Sequence, residues 1–205
     1  MVIGLGSGST AAFAVEALAL RAAQGLRVVA IPTSEKTAAV AQRRGVPLTS
    51  FAEHRRIDIT IDGADQVERG TLNLVKGLGG ALLREKIVAS ASERMIVVVD
   101  ETKLVDRLGG NTPLPVEIVS FGWQIVLERL AATGCVPRLR LVADKPFMTD
   151  GGNYIADCSF AEMPDPAARE TQLSAMVGVV ENGLFIDIAS KIVVGRSAGM
   201  EVIER

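Results

Sequence analysis

The feature that most constrains this fold is a repeated unit: a short β-rich apolar run, a small polar cluster, then a helical pattern. Val2, Ile3 and Leu5 make the first strand, which runs into Gly6-Ser7-Gly8-Ser9-Thr10 and a helical pattern to about Gln24. A strand over 27–31 ends in Pro32-Thr33-Ser34 and leads to a helix over 34–44, with a short strand expected near 47–51. Ile57-Asp58-Ile59-Thr60-Ile61 runs into Asp62-Gly63-Ala64-Asp65, and Met95-Ile96-Val97-Val98-Val99 into Asp100-Glu101-Thr102-Lys103. Alternating βα units predict a doubly wound, mostly parallel, Rossmann-like α/β sheet. Ligands of such sheets sit beyond the carboxyl ends of the strands, where these polar clusters fall.

The first cluster aims several backbone N–H groups at one point, and Ser9 or Thr10 is placed to cap the helix. A dinucleotide fingerprint fails, because G-x-G-x-x-G needs glycine where Ser9 stands. The hydroxyl-rich turn suits a single phosphate; a plain tight βα turn is the alternative. Asp62 and Asp65 stand three apart at a strand end and read as functional carboxylates or as Asp-Gly turn chemistry. Lys103 reads as a phosphate ligand or as part of a solvated helix start.

Residues 76–86 (Lys76-Gly77-Leu78-Gly79-Gly80-Ala81-Leu82-Leu83-Arg84-Glu85-Lys86) pass from a glycine-rich loop into a helix. Arg84, Glu85 and Lys86 sweep about 200° of its circumference. Ala81, Leu82, Val88 and Ala89 lie three and four residues from Glu85, so no helix-surface ion pair serves it. Glu85 is therefore a solvated side chain, a carboxylate on an apolar face, or a partner for something elsewhere in the fold. Poor solvation raises a carboxylate's pKa, which suits a general base.

From 116 to 185 the pattern changes to strand, helix, strand, strand, helix, strand, with Asp150-Gly151-Gly152-Asn153 turning the central hairpin. That order is ferredoxin-like α+β. A return strand near 191–194 and a last one near 200–203 rejoin the first lobe. The expected domains are thus a Rossmann-like catalytic domain, 1–115 with 186–205, and an inserted lobe, 116–185.

With 48% apolar residues and a mean hydropathy of +0.30, the 205-residue chain has enough material for a substantial core. Its net charge of −2 offers no basic surface for nucleic acid, and no apolar run is long enough to cross a bilayer. The N-terminus lacks a signal-peptide pattern, and Cys135 and Cys158 match no metal spacing, so free thiols in a reducing cytoplasm are expected. A single histidine, His54, in a polar loop, argues against a histidine metal site or a Ser-His-Asp triad.

Taken together, G-L-G-S-G-S-T (4–10), D-G-A-D (62–65), K-G-L-G-G-A-L-L-R-E-K (76–86), D-E-T-K (100–103) and P-L-P-V-E (113–117) resemble the type A ribose-5-phosphate isomerases. The resemblance covers almost the whole chain, in the family's order and spacing. It implies an aldose–ketose isomerase of the pentose phosphate pathway that interconverts ribose 5-phosphate and ribulose 5-phosphate through an enediolate. No metal or organic cofactor is implied. Carried over by motif, Glu85 is the general base, and Ser7, Gly8, Ser9 and Thr10 form the substrate loop. Lys103 binds the substrate near its phosphate. Asp62, Gly63, Ala64, Asp65, Lys76, Gly77, Leu78 and Gly79 line the sugar, with Asp62, Asp65 and Lys76 assisting catalysis. A cytoplasmic homodimer or homotetramer follows by the same route.

Three positions depart from the family. A helix usually precedes the first strand, whereas Met1 stands almost on it. Leu78 replaces a common glycine, and a side chain there disfavours positive φ and narrows the approach to the loop. Ser7 replaces a threonine and keeps the hydroxyl. The competing readings are a non-catalytic sugar-phosphate binder and a CoA transferase-like relative, in which Glu85 would form a thioester with an acyl-CoA.

Overall fold

The computed structural model describes residues 1–204. The chain begins with β1 (Val2–Leu5), α1 (Ser9–Ala23), β2 (Val29–Pro32), α2 (Glu35–Arg43) and β3 (Ile59–Asp62). Next come β4 (Gln66–Glu68), β5 (Leu74–Val75), α3 (Leu82–Ser90), β6 (Met95–Asp100), a 3-10 turn over Glu101–Lys103 and β7 (Leu104–Val105). Then follow β8 (Leu114–Ile118), α4 (Trp123–Ala131), β9 (Val136–Leu139), β10 (Leu141–Val142), β11 (Lys145–Pro146) and β12 (Tyr154–Ser159). The chain closes with α5 (Pro166–Ser174), β13 (Val179–Asn182), β14 (Leu184–Phe185), β15 (Ala189–Arg196) and β16 (Gly199–Glu204). It divides into two compact units: Met1–Ala64 with Arg84–Lys103 and Asp187–Arg205, and Asp65–Leu83 with Leu104–Ile186.

The first unit is the expected wound sheet, in the order β16-β15-β6-β3-β1-β2. Every pairing is parallel except the edge hairpin of β15 and β16. From β1 the chain steps out to β2, then returns to β3 on the other side, so the direction of winding switches between β1 and β3. Ile3, Leu5, Val15, Leu18 and Ala30 form one core cluster, and Ile31, Ile57 and Val88 form another. A Cβ on Gly4 would lie 2.6 Å from Val88 Cγ1 and 2.0 Å from Thr60 Oγ1, so glycine in β1 is what lets α3 approach the sheet.

Two local expectations for this unit are corrected. Neither Ser9 nor Thr10 caps α1: both lie inside the helix, and the cap position is Gly8 at φ 104°, with no side-chain cap. Gly8 adopts a left-handed φ that a serine would resist. The strand near 47–51 shrinks to one bridge, Ala30 with Leu48; the next donor along β2 would be residue 32, and Pro32 has no N–H to give.

The second unit contains the ferredoxin-like sheet, fully antiparallel in the order β13-β8-β12-β9. Leu114, Val116 and Ile118 of β8 pack with Val126 and Leu130 of α4 and Leu173 of α5. Both cysteines are free thiols buried in this unit. The expected strand over 138–143 divides instead. β9 ends, and β10 and β11 form a separate hairpin whose two loop residues, Ala143 and Asp144, have φ of 49° and 61°. Positive φ at both is the geometry of a tight hairpin turn. The expected strand over 179–185 also splits, with β13 and β14 in different sheets on either side of Gly183. A Cβ on Gly183 would lie 2.2 Å from the Lys76 carbonyl oxygen. β14 belongs to a small sheet, β14-β5-β4-β7, whose two- and three-residue strands are too short to show a period in sequence.

Candidate active site

In the first unit the carboxyl ends of the parallel strands gather the turn after β1, Thr33 and Ser34 after β2, Asp62 ending β3, and Lys103 after β6. Asp62, fully buried, sits at the winding switch. Its Oδ1 accepts the N–H of Ser7 at 3.0 Å and of Gly63 at 2.7 Å, which draws the two loops together. A side chain at position 6 is excluded, since a Cβ there would stand 2.1 Å from that oxygen.

The Ser7 hydroxyl is tied into a knot of hydroxyls: Thr33 Oγ1 at 2.8 Å, Ser34 Oγ at 2.8 Å and Thr37 Oγ1 at 3.1 Å. Thr33, Ser34 and Thr37 are buried, and Ser34 caps α2 by accepting the Thr37 N–H. Sequence reasoning passed over these three residues. Their signal in the sequence is the T-S-x-x-T spacing after β2. The knot orients the turn, and Gly8, Ser9 and Thr10 then present the first turn of α1 without a side-chain cap. A helix N-terminus with uncapped N–H groups favours an anion. A cavity of about 200 Å³ opens beside Gly8 and Ser9, with Lys36 and Thr37 in its wall. A larger hollow of about 630 Å³ lies at the opposite strand ends, beside Met1 and Leu26, and is walled largely by apolar side chains.

Glu85 is not a solvated helix residue. It is only 4% exposed, on the face of α3 that also carries Leu82, Val88 and Ala89, all buried. Its neighbour Arg84 turns the other way and pairs with Glu35 at 2.7 Å. Burying a carboxylate is costly and is uncommon without a purpose. Lys103, half-buried, ends the 3-10 turn after β6. That turn is ordered by Asp100, whose carboxylate accepts the Thr102 hydroxyl and N–H. The Thr102 hydroxyl, with help from Lys103, holds the Asp100 carboxyl below its ordinary range.

The second unit holds Asp65, Lys76, Gly77, Leu78 and Gly79. Lys76 is 2% exposed; its N–H bonds the Gly183 carbonyl, and its ammonium stands 5.5 Å from the centre of the Phe185 ring. Asp65 Oδ2 accepts the Leu78 N–H at 2.9 Å. The Gly80 N–H closes a turn onto the Gly77 carbonyl at 2.9 Å, with Leu78 and Gly79 at its centre. Gly77 and Gly80 take positive φ, whereas Leu78 and Gly79 do not. Leu78 therefore occupies a type I turn position that accepts most residues, and its replacement of a glycine strains nothing in the backbone. Among the described residues, no three His, Cys, Asp or Glu side chains are grouped as a metal site.

A family model for ribose 5-phosphate isomerase A (phosphoriboisomerase A) matches residues 29–199. The ribose-5-phosphate isomerase A of Gloeobacter violaceus is 55% identical over 203 residues, covering 99% of this chain and 88% of its own. The chain belongs to the ribose 5-phosphate isomerase A family. The Gluconobacter oxydans member is 52% identical over 98% of this chain and 88% of its own. The solved ribose 5-phosphate isomerase A of Methanocaldococcus jannaschii matches the fold with a TM-score of 0.95. It is 39% identical over all of this chain and 91% of its own. Membership in the ribose 5-phosphate isomerase A family bears out the resemblance drawn from the motifs.

Proposed function

We propose that this chain interconverts D-ribose 5-phosphate and D-ribulose 5-phosphate, with Glu85 as the base that shuttles one proton between C2 and C1. The observation that carries the reading is the burial of the Glu85 carboxylate on the apolar face of α3, in a chain of this family. A C–H beside a carbonyl is a weak acid, so its removal needs a base held close and donors for the oxyanion that forms. One carboxylate that takes the proton and returns it to the neighbouring carbon needs no histidine and no metal.

The turn at Ser7, Gly8, Ser9 and Thr10, with Lys103, receives the phosphate. N–H groups at a helix start and an ammonium are the donors that a phosphate prefers. Lys76, or the N–H groups of Gly77 and Gly79, stabilise the enediolate oxygens, while the Leu78 N–H stays on Asp65. Asp65 relays the proton between O1 and O2, while Asp62, with Gly63 and Ala64, meets the ring hydroxyl and assists ring opening. The working form is a cytoplasmic homodimer or homotetramer.

The deciding experiment is an isomerisation assay of the purified chain on ribose 5-phosphate, with and without EDTA. Turnover that is unchanged by EDTA is expected. Its absence, or thioester formation on Glu85 with an acyl-CoA, would overturn the reading.

A further inference from the structure

The turn formed by Gly77, Leu78, Gly79 and Gly80 is gripped by a residue outside every motif. Arg140 leaves β9 just before the β10–β11 hairpin, its N–H bonded to the Ile155 carbonyl and its own carbonyl to the Phe147 N–H. Its guanidinium meets Asp157 of β12 through two bonds, Nε to Oδ2 at 2.9 Å and Nη2 to Oδ1. Nη1 then donates to the Gly77 carbonyl at 3.1 Å and to the Leu78 carbonyl at 2.9 Å. The Phe147 ring lies 5.8 Å from the guanidinium carbon and packs so closely on Gly80 that a Cβ there would be 2.5 Å from it.

We propose that Arg140, held by Asp157, is a positioning residue that keeps the Leu78 N–H on Asp65 and turns the Gly79 N–H toward the substrate's reacting oxygens. The proposal rests on the isomerase reading above. In a trans peptide the carbonyl and the following N–H point in opposite directions, and the described chain has no cis bond. Two consecutive carbonyls turned toward Arg140 therefore turn two consecutive N–H groups away from it. The Leu78 N–H goes to Asp65 Oδ2. The Gly79 N–H is aimed to the same side, as a donor set in place before any negative charge develops. A preorganised donor of this kind acts without reorganisation at the moment of reaction. The task requires arginine: its planar fork serves a carboxylate on one edge and two carbonyls on another, which a lysine ammonium cannot do.

The test uses R140M and R140K in the full chain, with steady-state kinetics on ribose 5-phosphate, urea unfolding, and amide hydrogen exchange at Leu78. Both variants are expected to lose roughly 10–100-fold in kcat with KM within about threefold of wild type. Leu78 exchange is expected to quicken while unfolding stays cooperative. Methylguanidinium should restore part of the kcat of R140A and none of that of E85Q. A folded R140M with kcat within about twofold of wild type, or with unchanged Leu78 exchange, would overturn the proposal. If R140M does not fold, D157N takes its place. It should show a smaller kcat loss with the same exchange signature, and wild-type values for both would likewise overturn it. A wild-type chain that is inactive on ribose 5-phosphate would remove the isomerase reading, while the exchange comparison would still decide the clamp.

Discussion

The main-chain N–H of Ser7 donates to Asp62 Oδ1 at 3.0 Å, joining the end of β1 to the end of β3 across the winding switch. One buried oxygen also holds the Gly63 N–H, so the shape of the first loop depends on a carboxylate 55 positions away. This makes Asp62 an architectural residue as well as a proposed partner for the sugar.

Gly6→Ala tests that link. The new methyl would stand 2.1 Å from Asp62 Oδ1 and 2.4 Å from Asp62 Cα, and the backbone atom cannot yield. A loss of about 3 kcal/mol in urea unfolding is expected, with turnover falling in parallel. Gly8→Ala meets open space and suffers only from its φ of 104°, so its loss should be smaller, about 1 kcal/mol.

Glu85→Gln removes the proposed base and almost nothing else in shape. Turnover should fall by about three orders of magnitude, while calorimetry shows an unreactive phosphorylated sugar acid still binding. A variant that turns over like wild type would end the assignment of Glu85.

Lys103→Ala addresses the phosphate. KM for ribose 5-phosphate should rise by about tenfold or more while kcat stays within about threefold, and raised ionic strength should narrow the gap between the two proteins. An unchanged KM would take Lys103 out of the phosphate contacts.

Leu78→Gly probes the turn beside Asp65. Leu78 is exposed and has no positive φ, so glycine there gains no freedom that the fold needs and adds entropy to the unfolded chain. Stability should drop by about 0.5–1 kcal/mol in urea titration, with turnover close to wild type. A marked gain in turnover would show instead that the leucine side chain obstructs the substrate.

The wound sheet and the ferredoxin-like arrangement were legible because their strands are four to eight residues long and their helices nine or more, long enough to show a pattern of apolar positions. The small sheet of β14, β5, β4 and β7 was not, because a two-residue strand has no period. Glu85 was legible only in part. Its helix showed that no neighbour three or four residues away pairs with it, but burial depends on what the rest of the fold lays over that face. The hydroxyl knot of Ser7, Thr33, Ser34 and Thr37 joins two loops 26 to 30 positions apart, and no local pattern records such a meeting.

By itself the sequence determined the alternation of strands and helices, the family, and the residue types available for proton transfer and phosphate binding. These follow from periodicity and from motifs of adjacent residues, which are local properties of the chain. Only the tertiary structure decided that Asp62 staples two strand ends, that Leu78 sits in an unstrained turn, and that Arg140 and Asp157 hold that turn from 60 and more positions away. Such links depend on which distant segments pack together, and packing is settled by the whole core at once.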